Sequence, residues 1–329
     1  METVASGIRP TGNLHLGNYF GAMKNFVKMQ DSNNCFFFIA DYHSLTTHPT
    51  PEDLHGNVKN VLVEYLACGI DPEKATIYIQ SDVPEVSELY LLLNMNAYLG
   101  ELERVTSFKD KVRKQPENVN AGLLTYPTLM TADVIIHRAA KVPVGKDQEQ
   151  NLEMMRTFAR RFNRMYKVDY FPIPKAYNFD ESLVKIPGLD GSGKMGKSEG
   201  NAVYLADTPE AIRKKVMRAV TDSGPTEKNQ QKPEAIQNLF TLMDVVSKPE
   251  TKSFFEDAYN DCSIRYGDLK KQLAEDIVDF NAPFRDKILS LSEDNAYLRE
   301  VTSHGADRAR ESARKTIREV REIIGFKPF

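Results

Sequence analysis

Two stretches of this sequence carry side chains suited to handling phosphate. The first reads Ser6-Gly7-Ile8-Arg9-Pro10-Thr11-Gly12-Asn13-Leu14-His15-Leu16-Gly17-Asn18 and continues the apolar run that begins at Val4. Its glycines let backbone approach a ligand closely. His15 and Asn18 offer hydrogen bonds to phosphate oxygens, and Gly17 leaves room for a base or ribose. A helix beginning there would add free N–H groups and a positive dipole end. The same residues are equally compatible with a Gly-containing turn bearing a solvent-exposed histidine. The second stretch, Gly191-Ser192-Gly193-Lys194-Met195-Gly196-Lys197-Ser198, satisfies the GxxxxGK[ST] pattern, which taken literally reads as a P-loop ATPase or GTPase. A P-loop needs a strand directly before it and a helix starting at its Lys-Ser pair. Here Pro187-Gly188-Leu189-Asp190 interrupts any strand, and Glu199-Gly200-Asn201 is poor helix material before the strand-like Ala202-Val203-Tyr204. The stretch reads better as a loop whose lysines, Lys194 and Lys197, close over a triphosphate and neutralise developing charge.

A third candidate is Asp133, which at helical spacing shares a face with Leu129, Met130, Ile136 and His137. A carboxylate among apolar groups must find a partner or suffer a large desolvation penalty. One reading pairs it with His137 or an arginine; the other makes it an acceptor for a ligand N–H. Met154 and Met155 read as core filler. No Ser/His/Asp or Cys/His constellation is evident. The three cysteines, Cys35, Cys68 and Cys262, are widely spaced and read as reduced thiols.

The elements that must position these residues follow from hydrophobic periodicity. Strands are expected at 4–8, 36–40, 75–79 and 142–144. Between them lie helices near 16–29, 51–67, 86–99 and 127–138, and another follows at 147–166. Strand–helix alternation of this kind implies a parallel sheet covered on both faces, with ligands at the carboxyl ends of its strands. Past Asp207 the pattern is helical: 211–220, 234–246, 251–258, 266–291 and 303–324, with Pro283 expected to break or kink the fourth. Residues 221–233 lack a hydrophobic pattern and read as a mobile loop. The chain has 329 residues, 41% hydrophobic and 27% charged, which is ordinary for a globular protein of two domains. Its net charge of −3 argues against a protein that coats nucleic acid, and DNA is not an expected partner. No apolar run approaches a membrane span and the first residues do not form a signal peptide, so a cytoplasmic location is expected. Two helices carry mixed basic stretches that can meet phosphate or simply face solvent. They are Arg213, Lys214, Lys215 and Arg218 in one, and Arg308, Arg310, Arg314, Lys315, Arg318 and Arg321 in the other.

Together, His15-Leu16-Gly17-Asn18 and Lys194-Met195-Gly196-Lys197-Ser198 resemble the HIGH and KMSKS signatures of class I aminoacyl-tRNA synthetases, in the same order along the chain. Asn18 stands for the second histidine and Gly196 for the usual serine, which is what creates the P-loop match. Further segments resemble the tryptophan branch of that family: Gly7 to Gly21, Ala40 to Thr46, Gly100 to Arg104 with Lys109 and Lys111, Gly122 to Pro127, Met130 to Val134 and Val142 to Gln148. Ala5 and Arg9 depart from the phenylalanine and glutamine of some relatives. The resemblance covers nearly the whole chain.

What it implies is an α/β fold, a Rossmann-like nucleotide-binding domain with a parallel sheet over residues 1–200. A helical anticodon-binding domain would follow over 201–295, and a C-terminal helix at 296–329 would return to the catalytic domain. The implied activity is ATP-dependent activation of L-tryptophan and its transfer to tRNA(Trp), by a homodimer using Mg2+ bound with ATP. By resemblance, His15, Lys111, Lys194 and Lys197 serve catalysis. Arg9, Pro10, Thr11, Gly17, Asn18, Gly145, Lys146, Asp147, Ile186, Met195, Gly196 and Ser198 bind ATP together with Lys194 and Lys197. Asp133 accepts the indole N–H, and His43, Tyr126, Met130, Gln148, Ser6 and Gly7 line the tryptophan pocket.

Overall fold

A computed structural model of the chain describes residues 1–143, 149–177, 185–197 and 199–327. At its centre is a five-stranded sheet in the order β3-β2-β1-β4-β5, all neighbours parallel. The strands are β1 (Thr3–Ile8), β2 (Asn34–Ile39), β3 (Ala75–Ile79), β4 (Lys141–Val142) and β5 (Lys175–Ala176). The run Cys35-Phe36-Phe37-Phe38-Ile39 is buried throughout, as a strand covered on both faces must be. Side chains alternate between the faces. Val4, Phe37, Ile39 and Ile77 join one apolar cluster; Ala5, Phe36, Phe38 and Tyr78 join the other.

The expected helices form, with shifted ends. The first, α1, covers 16–29: a turn Leu16–Asn18, a π-helical stretch Tyr19–Met23 and an α-helix Lys24–Met29. It is followed by α2 (Pro51–Ala67), α3 (Glu85–Asn94), α4 (Tyr126–Ile135) and α5 (Glu149–Tyr166). Thr50 caps α2 by accepting the Asp53 N–H at 3.1 Å, with Pro51 in its first turn. Beyond the sheet come α6 (Pro209–Met217), α7 (Glu234–Val246), α8 (Pro249–Asn260), α9 (Tyr266–Glu293) and α10 (Asn295–Ile324). No helix among the described residues is long and apolar enough to cross a membrane.

Four expectations need correction. Pro283 does not break α9, which runs through it; the apolar face that buries Leu273, Ile277 and Ile288 holds the helix together. The last helix begins at Asn295 because Asp294 caps it, accepting the Tyr297 N–H at 3.0 Å. Ala202 to Tyr204 is not a strand: Tyr204 makes a single antiparallel bridge with His15. Strand β5 went unseen because two residues show no periodicity.

The chain runs from β1 to β2 and β3 on one side, then crosses to β4 on the other side of β1. Such a reversal opens a crevice at the carboxyl end of β1, where ligands of these sheets bind. The apolar cluster on the α2 face continues without interruption into α6, α7 and α9 through Ile212, Phe240 and Ile277. Helix α10 packs on β3 and α3, so it covers an edge strand that would otherwise be exposed. A Cβ on Gly305 would lie 1.7 Å from the Ile77 carbonyl oxygen, so only glycine permits this approach. Arg310 donates to the Asp82 carbonyl at 2.6 Å, and Arg314 and Arg321 pair with Glu85 and Glu88. Much of this helix's basic pattern is therefore an internal fastening.

Gly305→Ala should destabilise the protein by about 1–3 kcal/mol, as overpacking does, although alanine is the better helix former. Gly267, in α9 with open space around it, is the control. Its change to alanine should be neutral or stabilising in the same urea titration.

Candidate active site

The loop after β1 and the lysine-bearing segment at 191–197 are far apart in sequence, and backbone pairing brings them together. Leu16 N–H donates to the Val203 carbonyl at 3.0 Å and Leu205 N–H to that of Leu14 at 3.0 Å. Met195 N–H donates to the Ile186 carbonyl at 2.8 Å, and both side chains are buried. Asn201 accepts the Gly196 N–H at 2.9 Å and donates to Asp190 at 2.9 Å. From α7, Asn238 donates to the carbonyls of Gly191 and Ser192 at 3.0 and 3.1 Å. Among the described residues no strand precedes Gly191 and no helix begins at Lys197, so the literal P-loop reading fails.

Two cationic groups, Lys194 and Lys197, act on His15. Lys197 Nζ donates to the Gly12 carbonyl at 2.6 Å. Burial and the charges of Lys197 and Lys194 push the His15 imidazole down to about 4, so it is neutral at pH 7. Its Nδ1 has no hydrogen-bond partner among the described residues, and its backbone N–H is held by Asn18 Oδ1 at 3.1 Å. Lys197 is itself pushed down to about 8, by burial and by Arg9, against the pull of Glu64. Lys111 is lowered to about 8 by burial and by Arg9. A cluster of cations that weaken one another's charge is built for an anion, whose arrival restores their protonation.

Asp133 is 1% exposed. Its partners are neither His137 nor an arginine. His43 Nε2–H donates to Oδ2 at 2.9 Å, and Gln80 Nε2–H donates to Oδ1 at 2.6 Å. His137 instead stacks on Phe36 at 4.0 Å and meets Tyr78 Oη at 2.8 Å and Ser312 Oγ at 3.1 Å. The His43 ring lies 4.2 Å from that of Tyr126, and Lys111 Nζ sits 3.3 Å from the same Tyr126 ring centre. A line of contacts thus runs from the Asp133 carboxylate through His43 and Tyr126 to Lys111, next to Arg9 and the lysine cluster. Gly7 faces Phe38, with only 2.3 Å between the ring and a would-be Cβ, so glycine is needed for the ring to lie there.

The residues this geometry brings together are Arg9, His15, Lys111, Lys194 and Lys197 on one side and His43, Tyr126 and Asp133 on the other. His43 also borders a cavity of about 340 Å³ with Tyr42, Ser87, Tyr90, Asn120 and Leu129. Ser6, Gly7, Tyr126 and Met130 do not line it. Gly145, Lys146, Asp147, Gln148 and Ser198 lie outside the described residues. Sequence reasoning missed Gln80 and Glu64. Gln80 directly follows the carboxyl end of β3, a place where ligand-facing residues belong. Glu64 interrupts an otherwise apolar run from Val61 to Ala67. Among the described residues no three His, Cys, Asp or Glu side chains come together as a metal site would require.

Burial alone pushes His137 down to about 3. Its unfolded counterpart takes a proton below about pH 6.5, while the native residue stays neutral until about pH 3. Native stability should therefore fall as pH drops from about 6.5 toward 3, by about 1.4 kcal/mol per pH unit for this group. Urea midpoints at pH 7, 6 and 5 measure the slope. His137→Gln should flatten it, and an unchanged slope would remove this residue from the account.

The chain resembles proteins already described. A family model, tRNA synthetases class I (W and Y), matches residues 2–281. A tryptophan–tRNA ligase from Porphyromonas gingivalis is 68% identical over 327 residues, covering 99% of this chain and 100% of that protein. One from Fusobacterium nucleatum is 42% identical, covering 99% and 98%. The crystal structure of tryptophanyl-tRNA synthetase from Campylobacter jejuni, complexed with ADP and tryptophan, superposes with a TM-score of 0.88. It is 34% identical, covering 99% of this chain and 100% of that one.

Proposed function

The chain belongs to the class I tRNA synthetases of the W and Y family, and from that membership we propose that it activates L-tryptophan with ATP and charges tRNA(Trp). The observation that carries the reading is the pairing of two unlike sites along one line of contacts. A buried carboxylate oriented by two donors stands at one end and a cation cluster at the other, joined through His43 and Tyr126.

In the first step the tryptophan carboxylate oxygen attacks the α-phosphorus of ATP, and the bond to the β-phosphate oxygen breaks. This gives tryptophanyl-adenylate and pyrophosphate. In the second, a terminal ribose hydroxyl of tRNA attacks the acyl carbon, its proton is lost, and AMP leaves. Neither step needs a protein nucleophile, and catalysis consists of positioning and charge stabilisation. Lys194, Lys197 and Lys111 hold the triphosphate and offset negative charge as pyrophosphate departs. Neutral His15 donates a hydrogen bond without adding a further cation. Arg9, Pro10 and Thr11 lie along the nucleotide, and Gly17, Asn18, Ile186, Met195 and Gly196 pack on or beside it. Gly145, Lys146, Asp147 and Ser198 are assigned to the same nucleotide by resemblance alone. Mg2+ arrives on the triphosphate as part of the substrate, which suits a site rich in amines and amides.

Asp133 accepts the indole N–H. His43 and Gln80 engage one lone pair on each oxygen, and a carboxylate has about four such sites. The two donors orient the group and leave it able to accept another. A buried acceptor of this kind rejects analogues without the N–H strongly. Ser6, Gly7, His43, Tyr126, Met130 and Gln148 complete the pocket. We divide the chain into a catalytic domain at 1–200, a helical anticodon-binding domain at 201–295 and a returning helix at 296–329. The packing of α10 on β3 supports the last of these. A homodimer is supported by the exposed apolar run of Leu91, Met95, Tyr98 and Leu99, at 54%, 72%, 60% and 59%. We place the protein in the cytoplasm, where its ATP and tRNA substrates are found.

The test is ATP–pyrophosphate exchange with each standard amino acid in turn. Exchange with tryptophan alone is expected; exchange with tyrosine would move the error to the pocket, and none with any amino acid would refute the reading. Asp133→Asn should lower kcat/KM for tryptophan roughly ten- to hundredfold, the cost of losing a buried acceptor, and leave KM for ATP within about twofold. Wild-type selectivity over phenylalanine in that variant would sink the indole assignment.

A further inference from the structure

Helix α2 buries Val61, Leu62, Val63, Tyr65, Leu66 and Ala67 in the core, and in their midst Glu64 is 1% exposed. A leucine would fill this place as well by volume, but it would leave the buried Leu14 N–H without its acceptor. Packing therefore does not explain the carboxylate, and its contacts do. Both oxygens lie against one donor, the Leu14 N–H, at 3.0 and 2.9 Å. The other charged group facing it is Lys197, whose Nζ donates to the Gly12 carbonyl two residues before Leu14. Cys68, one turn further along α2, is held neutral by burial. Burial raises the Glu64 carboxyl to about 8, with the Leu14 N–H and Lys197 both pulling it down.

We propose that Glu64 is a positioning residue for ATP: it pins the backbone at Leu14, so the loop that carries His15 and receives Lys197 at the Gly12 carbonyl is set before the nucleotide arrives. Leu14 is followed directly by His15, whose ring lies near Lys194 and Lys197. A shift at Leu14 therefore moves the imidazole. Helix α2 packs on one face of the sheet, while α4, which carries Asp133, belongs to the cluster on the other face. Glu64 thus acts on the nucleotide side of the crevice and not on the amino-acid side.

This inference rests on the synthetase reading, and the two are tested apart. Wild-type exchange activity tests the reading. Calorimetric titration with ATP and with tryptophan tests Glu64, because binding needs no turnover. Glu64→Leu should weaken ATP binding about tenfold, as misplaced reacting groups do. Tryptophan affinity should stay within about twofold, and the thermal midpoint should fall by a few degrees, the cost of leaving the buried Leu14 N–H unpaired. Glu64→Gln keeps an acceptor for Leu14 and, like the carboxyl that burial holds largely protonated near pH 7, carries no charge. It should keep ATP affinity and exchange kcat within about threefold of wild type. Wild-type ATP affinity in Glu64→Leu overturns the proposal. So does a parallel loss of ATP binding, tryptophan binding and stability, which would mark a packing role. Should Glu64→Leu not fold, Glu64→Met, which also lacks the acceptor, takes its place under the same outcomes, and a tenfold loss of ATP affinity in Glu64→Gln overturns the proposal.

Discussion

Two backbone hydrogen bonds, from Leu16 to Val203 and from Leu205 to Leu14, hold the phosphate-facing cluster together. Each joins the loop after β1 to the chain just past the lysine segment. Without them His15 would have no reason to stand near Lys194 and Lys197. Their carbonyl and N–H groups are buried and cannot be left unpaired cheaply, so the arrangement is imposed by the backbone and not by side-chain attraction. The side chains work against it: burial and like charges push His15 and Lys197 down together. Covalent continuity and backbone pairing confine groups that would separate in solution. The result is a site whose electrostatic strain is relieved by a bound polyanion.

The amino-acid side is organised on a different principle. Asp133 lies in an apolar helix and is held by two specific donors, His43 and Gln80, from the ends of two different strands. The carboxyl ends of β1, β2 and β3 supply Arg9, the His43 turn and Gln80 respectively. A parallel sheet delivers all its carboxyl ends to one edge, which is why residues so distant along the chain converge there. Tyr126 separates the two regimes, with His43 against its ring and the Lys111 ammonium against it as well.

Helix α10 shows how tertiary context reassigns a charge pattern. Its arginines alternate with glutamates as on a solvated helix. Yet Arg310, Arg314 and Arg321 reach the Asp82 carbonyl, Glu85 and Glu88, and Gly305 lets the helix lie on the Ile77 carbonyl of β3. The helix closes an open sheet edge, and through Ser312 and His137 it touches Tyr78 in the same strand that leads to Gln80. Likewise Asn238 of α7 grips the root of the lysine segment, so the helical half of the chain holds that segment directly.

By itself the sequence determined the strand–helix alternation, the parallel sheet and the two motif segments, because apolar periodicity and glycine placement act over a few residues. It also marked Asp133 as a carboxylate in need of a partner. Only the tertiary structure decided who that partner was. His137 is near in sequence but is turned into the core against Phe36, while His43 and Gln80 arrive from other strands. Sequence already argued against a P-loop at Gly191, through Pro187-Gly188 before it and Glu199-Gly200-Asn201 after it, and among the described residues no strand directly precedes Gly191 and no helix begins at Lys197. It could not find what holds Glu64, whose hydrogen-bond partner Leu14 lies 50 positions away. Such long-range pairings are set by how whole elements pack, and local pattern carries no record of them.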